Sequence, residues 1–287
     1  MKNFSLPWYG GGAGLRHEHF AEIRRSKPPF PWFEIIVEDF LNVGGYAAES
    51  FEEIASNYKV IPHGVGLSIG STDPLDLGHL NRVKGLLSKI DAPWFSDHLC
   101  FTMIDHANLE NLIPVAFTEE AVSHIVSRIQ QVQDHLRIPF LLENVTRYIT
   151  VSDREMDESE FINQIVQRSG CGLLLDITNV ILNSKYHGYD PQSFIASLPL
   201  ERVGQIHLAG WEEVDDILID SHDAPVPPEV WSLLEYTLHK TGPTSVLVEW
   251  DKSLPSVDRL LKEALHADKL VRSINTQNTQ AVEGQSL

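Results

Sequence analysis

The chain has 287 residues, 43% of them hydrophobic and 22% charged, with a formal net charge of -18 at pH 7. So acidic a balance excludes a nucleic-acid partner, because phosphate backbones are held mainly by clustered Lys and Arg. No apolar run approaches the ~20 residues that span a bilayer, and MKNFSLPWYGGG lacks the apolar core and small-residue cleavage site of a secretory signal. The expected setting is the cytoplasm, without membrane contact, and the two cysteines, Cys100 and Cys171, fit a reducing compartment.

In chain order, Gly10, Gly11, Gly12 and Gly14 come first; they follow no strand pattern and read as a turn. Eight short apolar runs then give strand candidates near residues 33–38, 60–68, 94–100, 139–144, 172–177, 203–208, 216–220 and 245–250. Helical period fills the gaps. TEEAVSHIVSRIQQVQDHL sets Val122, Ile125, Ile129, Val132 and Leu136 on one face behind a Thr118 cap. Residues 157–169 open close to a capping box and stop at Gly170, and Pro227 and Pro228 open a helix that Gly242 ends. Strand then helix, repeated about eight times, predicts an α/β fold: a TIM (β/α)8 barrel of the xylose-isomerase kind, in one domain over residues 1–272. An open doubly wound sheet is the competitor, but it gathers ligands at one switch point. SINTQNTQAVEGQSL is polar and aperiodic, so residues 273–287 read as a disordered tail.

Nearly every apolar run ends on a side chain able to hold a metal: Glu38, His63, His98, Glu143, Asp176, His207, Asp220 with His222, and Glu249. A barrel brings strand ends to one mouth, so these residues are expected to converge there. A single strand histidine is ordinarily a hydrogen-bonded core residue, and a strand-end carboxylate often caps the next helix. Burying so many ionisable groups together without cations would be prohibitively costly, which makes the recurrence a metal signal. His, Asp and Glu without Cys suit iron, manganese or zinc. The set exceeds one ion's needs, and Glu143 and Glu249 are the natural shared ligands. Asp220 and His222, two apart, would share a face in an extended segment. Asp97 should point away from His98 as a structural residue. Glu38 and Asp39 are left open between ligand and substrate contact, and Asn144 and Asn179 between orienting a ligand and, for Asn179, binding through its amide oxygen. His17, His19, His79, His106, His124, His135, His239 and His266 are expected to be solvated.

The segments GAGLRHEHF, WFEIIVEDF, HGVGLSIGS, FSDHL, IPVAFTEEAV, LLENV, GCGLLLDITN, HGYDP, VGQIHLAG, IDSH and VEWD, spread from about residue 12 to about residue 265, resemble the bacterial multinuclear non-heme iron enzymes typified by the methanobactin oxidase MbnB and the 3-thiaglutamate enzyme TglH. That resemblance implies a barrel holding two or three irons of mixed Fe(II)/Fe(III) state. It also implies dioxygen as co-substrate and a small partner protein, in a heterodimer, that captures the leader of a ribosomally made peptide. The expected reaction is oxidation of a cysteine of that peptide, by carbon excision or oxidative rearrangement. Carried over as metal ligands or close candidates are His63, His98, Glu143, Asp176, Asn179, His187, His207, Asp220, His222 and Glu249, with Glu143, Asp176 and Glu249 at the reacting centre; only the resemblance raises His187. Asp39, Thr178, Tyr186 and Asp223 stand where the family commonly has Asn, Asn, Asn and Gly, departures that bear on substrate and leave the ligands intact. The competing readings are a divalent-metal barrel hydrolase or isomerase without redox chemistry, and a metal-dependent binding module.

Overall fold

The computed structural model describes residues 4–150 and 154–284. Its strands are β1 (Gly11–Gly14), β2 (Trp32–Ile36), β3 (Lys59–His63), β4 (Phe95–His98), β5 (Cys100–Ile104), β6 (Ala107–Pro114), β7 (Phe140–Glu143), β8 (Gly172–Asp176), β9 (Val203–Leu208), β10 (Glu212–Val214), β11 (Ile217–Ile219) and β12 (Ser245–Val248). Eight of them close into a barrel in the order β1-β12-β9-β8-β7-β4-β3-β2, every pairing parallel. The crossovers are α1 (Phe20–Ser26), α2 (Gly45–Asn57), α3 (Leu77–Lys89), α4 (Glu119–Leu136), α5 (Glu158–Ser169), α6 (Ile177–His187), α7 (Pro191–Ser197) and α8 (Pro228–Thr241), and α9 (Val257–Gly284) follows the last strand. This is the TIM barrel that the strand and helix alternation predicts. The helix ends also fall where their caps place them. Thr118 accepts from Ala121 N, Asp157 accepts from Glu160 N, and Gly170 closes α5 in the left-handed region.

Three local readings change. Gly11–Gly14 is a barrel strand, not a turn. It shows no apolar pattern because it has no room for side chains: a Cβ on Gly11 would sit 2.1 Å from Ala264 O, and one on Gly12 would sit 2.3 Å from the Trp32 ring. Glycine here lets β1 slide under α9 and against β2. The run at 216–220 is not a barrel strand. It forms β11, which pairs antiparallel with β10 outside the barrel through a two-residue turn, Asp215–Asp216, with both φ values positive. A second hairpin, β5 with β6, turns the same way at Asp105–His106 beyond the end of β4. Finally, α9 runs to Gly284, so most of the segment read as a disordered tail continues the helix; residues 285–287 lie outside the described residues. Val257, Leu260, Ala264, Ala267, Val271 and Ile274 are its buried stripe, and Ile274 lies past residue 273, where the polar composition suggested an end.

Two layers fill the barrel. Trp32, Ile61, Trp94, Leu141, Leu174 and Leu247 form a buried cluster of their own, packed against Phe4, Leu6 and Tyr9. Two residues further along the same strands, on the same pleat face, come Glu34, His63, Ser96, Glu143, Asp176 and Glu249. The outward faces pack against the helices in the main core, so both faces of each strand are covered and the alternation is masked in composition. No helix among the described residues is long and apolar enough to cross a membrane.

Candidate metal centre

The second layer is polar and stands at the C-terminal ends of the strands. Strand register sets His98 opposite Glu143 and Asp176 opposite His207. Glu143 lies at the middle: its Oε2 is 3.3 Å from His63 Nε2 and 3.4 Å from His98 Nε2, and its Oε1 is 3.4 Å from His207 Nδ1. Glu249 lies 3.2 Å from His207 Nδ1 and 3.5 Å from His222 Nδ1. Four overlapping trios present ligand atoms within 4.8 Å of one another: His63, His98 and Glu143; Glu143, Asp176 and His207; Asp176, His222 and Glu249; and Glu34, His207 and Glu249.

The ring nitrogens are sorted by their outer contacts. His63 Nδ1 lies 2.9 Å from Ser96 Oγ and His98 Nδ1 donates to Gly64 O at 3.2 Å, which turns each Nε2 toward the interior. His207 is reversed in orientation: its Nε2 lies 2.8 Å from Gln205 Nε2 and 3.2 Å from Glu34 Oε2, and its Nδ1 faces Glu143 and Glu249. Such outer contacts fix tautomer and ring orientation at metal sites. The backbone of Asp176 is clamped by Asn144, which donates to its carbonyl and accepts from its N–H. Asp176 Oδ1 caps α6 by accepting from Asn179 N at 2.7 Å. Asp176 Oδ2, Glu143 Oε2 and His207 Nδ1 are buried with no hydrogen-bond partner. Orphaned buried lone pairs on an anion, an acid and an imidazole, all facing one interior, are what a bound cation would satisfy.

Without a cation the charges rearrange. Burial alone would push the Glu143 carboxyl up, but His98, His207 and His63 around it bring it down to about 2. Burial opposes the cationic form of His98, yet Glu143, then the contacts and charge of Asp97, raise it to about 9. His207 and His222 rise well above their ordinary value for the same reason, burial being outweighed by Glu34 and Asp220 respectively. Asp176 moves the other way: burial first, then repulsion from Asp220 and Glu143, hold it well above the carboxylate range. Protons thus do part of the work that a metal would do, and metal uptake would release them.

Of the ten predicted ligands, His63, His98, Glu143, Asp176, His207, His222 and Glu249 are brought together in the trios. Asp220 adjoins them through His222, its Oδ1 being 2.8 Å from Nε2. The pairing does not come from an extended segment, because His222 has a φ of 51°. Asn179 borders the cluster, but its amide oxygen accepts from Thr146 Oγ1 at 2.5 Å. His187 stands apart: at the end of α6 its Nε2 donates to Arg147 O at 2.9 Å, and it belongs to none of the trios. Asp97 is structural, accepting from Leu67 N and His98 N. Asp39 is exposed, and Glu38 accepts from Val65 N at the rim. Four histidines expected in solvent are engaged: His19 is buried against Pro255 O, His124 binds Ser71 O, His79 Nε2 lies 3.3 Å from Glu38 Oε1, and His135 Nε2 lies 2.9 Å from Asn81 Oδ1. The residue that sequence reasoning passes over is Glu34, buried in β2 beneath His207. Its signal is the spacing from Trp32, two positions back, which His63, Glu143, Asp176 and Glu249 repeat after Ile61, Leu141, Leu174 and Leu247.

A family profile described as "RiPP precursor modification enzyme MbnB/TglH/ChrH" matches residues 10–272. The chain is 42% identical over 264 residues to a UPF0276 protein of Anaeromyxobacter sp. (strain Fw109-5), covering 92% of this chain and 93% of that one. It is 41% identical over 258 residues to a UPF0276 protein of Caulobacter vibrioides, covering 90% and 92%. Among solved structures it is similar to the D-psicose 3-epimerase of Clostridium cellulolyticum H10, with a TM-score of 0.59 at 12% identity over 93% of this chain and 96% of that one. A D-tagatose 3-epimerase-like protein gives a TM-score of 0.57 at 14% identity over 93% and 99%. These distant structures establish a barrel of the xylose-isomerase kind and nothing about chemistry. The chain belongs to the MbnB/TglH/ChrH family of enzymes that modify ribosomally synthesised precursor peptides.

Proposed function

We propose that this protein is an iron-dependent, dioxygen-using oxidase that modifies a cysteine of a ribosomally synthesised peptide, by carbon excision or oxidative rearrangement, together with a leader-binding partner protein. The observation that carries the reading is the set of four overlapping ligand trios with three orphaned buried atoms, in a chain of a peptide-modifying family. His63 and His98 with Glu143 would hold one ion, and Asp176, His222 and Glu249 a second. His207 stands between Glu143 and Glu249, where a third could be shared. Bound there, iron with open positions would accept a thiolate and dioxygen and pass electrons between them.

The chain's own residues supply the setting. Glu143 and Glu249 place negative charge between the histidines, which would offset the charge of bound cations. Asp176, kept protonated in the metal-free protein by burial and by Asp220 and Glu143, is the group poised to give up a proton as metal enters. Arg16 braces the far side. Its guanidinium bonds Asp251 at 2.5 Å and lies 3.8 Å from Glu249, while Asp251 in turn faces His222 Nδ1 at 3.0 Å.

The test is coexpression with the neighbouring small open reading frames, anaerobic purification, metal analysis, and mass spectrometry of any cysteine-bearing peptide before and after air. Iron in the protein and a cysteine-dependent mass change that needs dioxygen are expected. Zinc or manganese in its place, with turnover that proceeds without dioxygen, would overturn the proposal in favour of a hydrolase or isomerase.

A further inference from the structure

A cavity of about 560 Å³ opens beside the ligand cluster, and the metal centre accounts for only one of its walls. The β5–β6 hairpin forms one side through Thr102, Met103, Asn108, Glu110, Asn111 and Leu112. Val65 and Gly66 after β3 form another, with Glu38 beside them, and Thr146 and Tyr148 after β7 a third. Asp220 joins this space to the centre, since its Oδ2 lies 3.1 Å from Thr146 Oγ1 and its Oδ1 meets His222.

The walls are fixed in place. Tyr148 OH accepts from Asp220 N at 2.7 Å, and its ring stands edge-on to Tyr186 at 5.5 Å, so the hydroxyl proton remains free to donate. Glu110 holds a φ of 51°, strained for a residue with a side chain, opposite a register shift in β5. Gly66 leaves room where a Cβ would come within 2.6 Å of Glu38 Oε1. The polar groups and the open length suit an extended peptide, which needs donors and acceptors along its backbone.

The charged groups that line the cavity itself are all acidic, although His222 lies 2.8 Å from Asp220 and His79 3.3 Å from Glu38. Glu38, Glu110 and Asp220 come from three separate elements, and no Lys or Arg lines the space among the described residues. The three carboxylates do not meet as one ion's ligand set. Spread around a groove in this way, they favour a cation on the occupant and repel an anion at every position. Resting on the peptide-oxidase reading, we propose that this cavity seats the residues flanking the reacting cysteine, and that it selects a basic side chain there and rejects a carboxylate, whether from Asp, Glu or a chain end.

Anaerobic, iron-loaded protein would be titrated with two fluorescein-labelled heptapeptides that differ only beside a central cysteine, Lys-Cys-Lys in one and Glu-Cys-Glu in the other. Fluorescence anisotropy should show the lysine peptide binding at least about tenfold tighter in low salt. In the Glu38→Gln and Glu110→Gln variants, and more so in the double variant, that advantage should shrink. Equal affinities, preference for the glutamate peptide, no binding of either at millimolar concentration, or an advantage unchanged in the double variant would each overturn the inference. Oxidation of the natural precursor, followed by mass spectrometry, reports on the oxidase reading separately. A lysine preference without any oxidised cysteine would support the cavity's selectivity and remove the oxidase, and oxidation alongside equal affinities would do the reverse.

Discussion

Replacing Glu34 with Gln tests how the centre is tuned from below. Glu34 Oε2 accepts from Gln205 Nε2 at 2.5 Å and lies 3.2 Å from His207 Nε2, which Gln205 Nε2 also approaches at 2.8 Å, and the carboxylate is buried. Gln205 is itself held by Trp94 Nε1, which donates to its Oε1 at 2.7 Å, so this donor cannot easily turn away. Gln at position 34 keeps an acceptor oxygen of the same shape but loses the charge that draws the His207 proton to Nε2. A charge-assisted bond contributes about 1.5–3 kcal/mol against about 0.5–1.5 for a neutral one, so the loss is about 1.5 kcal/mol. That is about tenfold in affinity for the ion that His207 Nδ1 would bind, the low end of the roughly 10- to 100-fold range for such outer contacts. The assay is anaerobic Fe(II) titration against a competing chelator, with iron counted per chain and thermal melting run in parallel. Unchanged affinity would refute the orienting role. Loss of one whole ion with the others unaffected would also refute it, because Glu34 would then be a ligand in its own right, as its trio with His207 and Glu249 permits.

Three further outcomes follow from the same geometry. In metal-free protein the His98 imidazolium, raised from 6.5 to about 9, contributes on the order of 3 kcal/mol that is fully present below pH 6.5 and lost as pH climbs through 9; chelator-treated protein should melt lower across that range while its iron affinity rises. Burial pushes the Cys171 thiol up to about 11 and Cys100 well above its ordinary value, so at pH 8 only about one Cys171 in a thousand is thiolate; iodoacetamide should label both in guanidinium and neither in native protein, as read by mass spectrometry. Gly12→Ala forces a Cβ to 2.3 Å from the buried Trp32 ring and should cost about 3 kcal/mol, whereas Gly85→Ala in α3, with nothing within 4 Å, should stabilise by up to about 1 kcal/mol; denaturant melts of the two variants compare them directly.

The parts of the fold that sequence misses share a physical cause: in each, backbone geometry is set by something other than side-chain hydrophobicity. β1 is glycine because α9 and Trp32 occupy the space of its side chains, so a strand in the barrel wall carries no apolar signature. The two hairpins turn on Asp215–Asp216 and Asp105–His106, with positive φ at residues other than the usual Asn-Gly or Asp-Gly. Counting apolar runs therefore still reached eight, with β11 in place of β1. Two compensating errors gave the right barrel for partly wrong reasons.

The candidate site was more legible than its strands, and Glu34 shows where the missing information lay. Four interior ligands stand two residues after a member of the lower apolar layer, His63 after Ile61, Glu143 after Leu141, Asp176 after Leu174 and Glu249 after Leu247, while His98 lies four residues after Trp94 and His207 two after the polar Gln205. That period of two is the pleat itself. It is hidden in composition because helices cover the outward faces, so residues between the ligands are as apolar as those below them. Taking the acidic residue that ends the apolar run of WFEIIVEDF as the strand end selects Glu38, which lies beyond β2 in a short 3-10 turn, Val37–Asp39. Stepping two from Trp32 selects Glu34 instead, which the structure places 3.2 Å from His207 Nε2. His187 fails the converse test: it ends α6 and has no lower-layer residue beneath it, so nothing in the barrel directs its ring to the centre. A ligand set read by pleat spacing is thus narrower than one read by residue type, and it separates the groups that the barrel aims inward from those that merely lie near its rim.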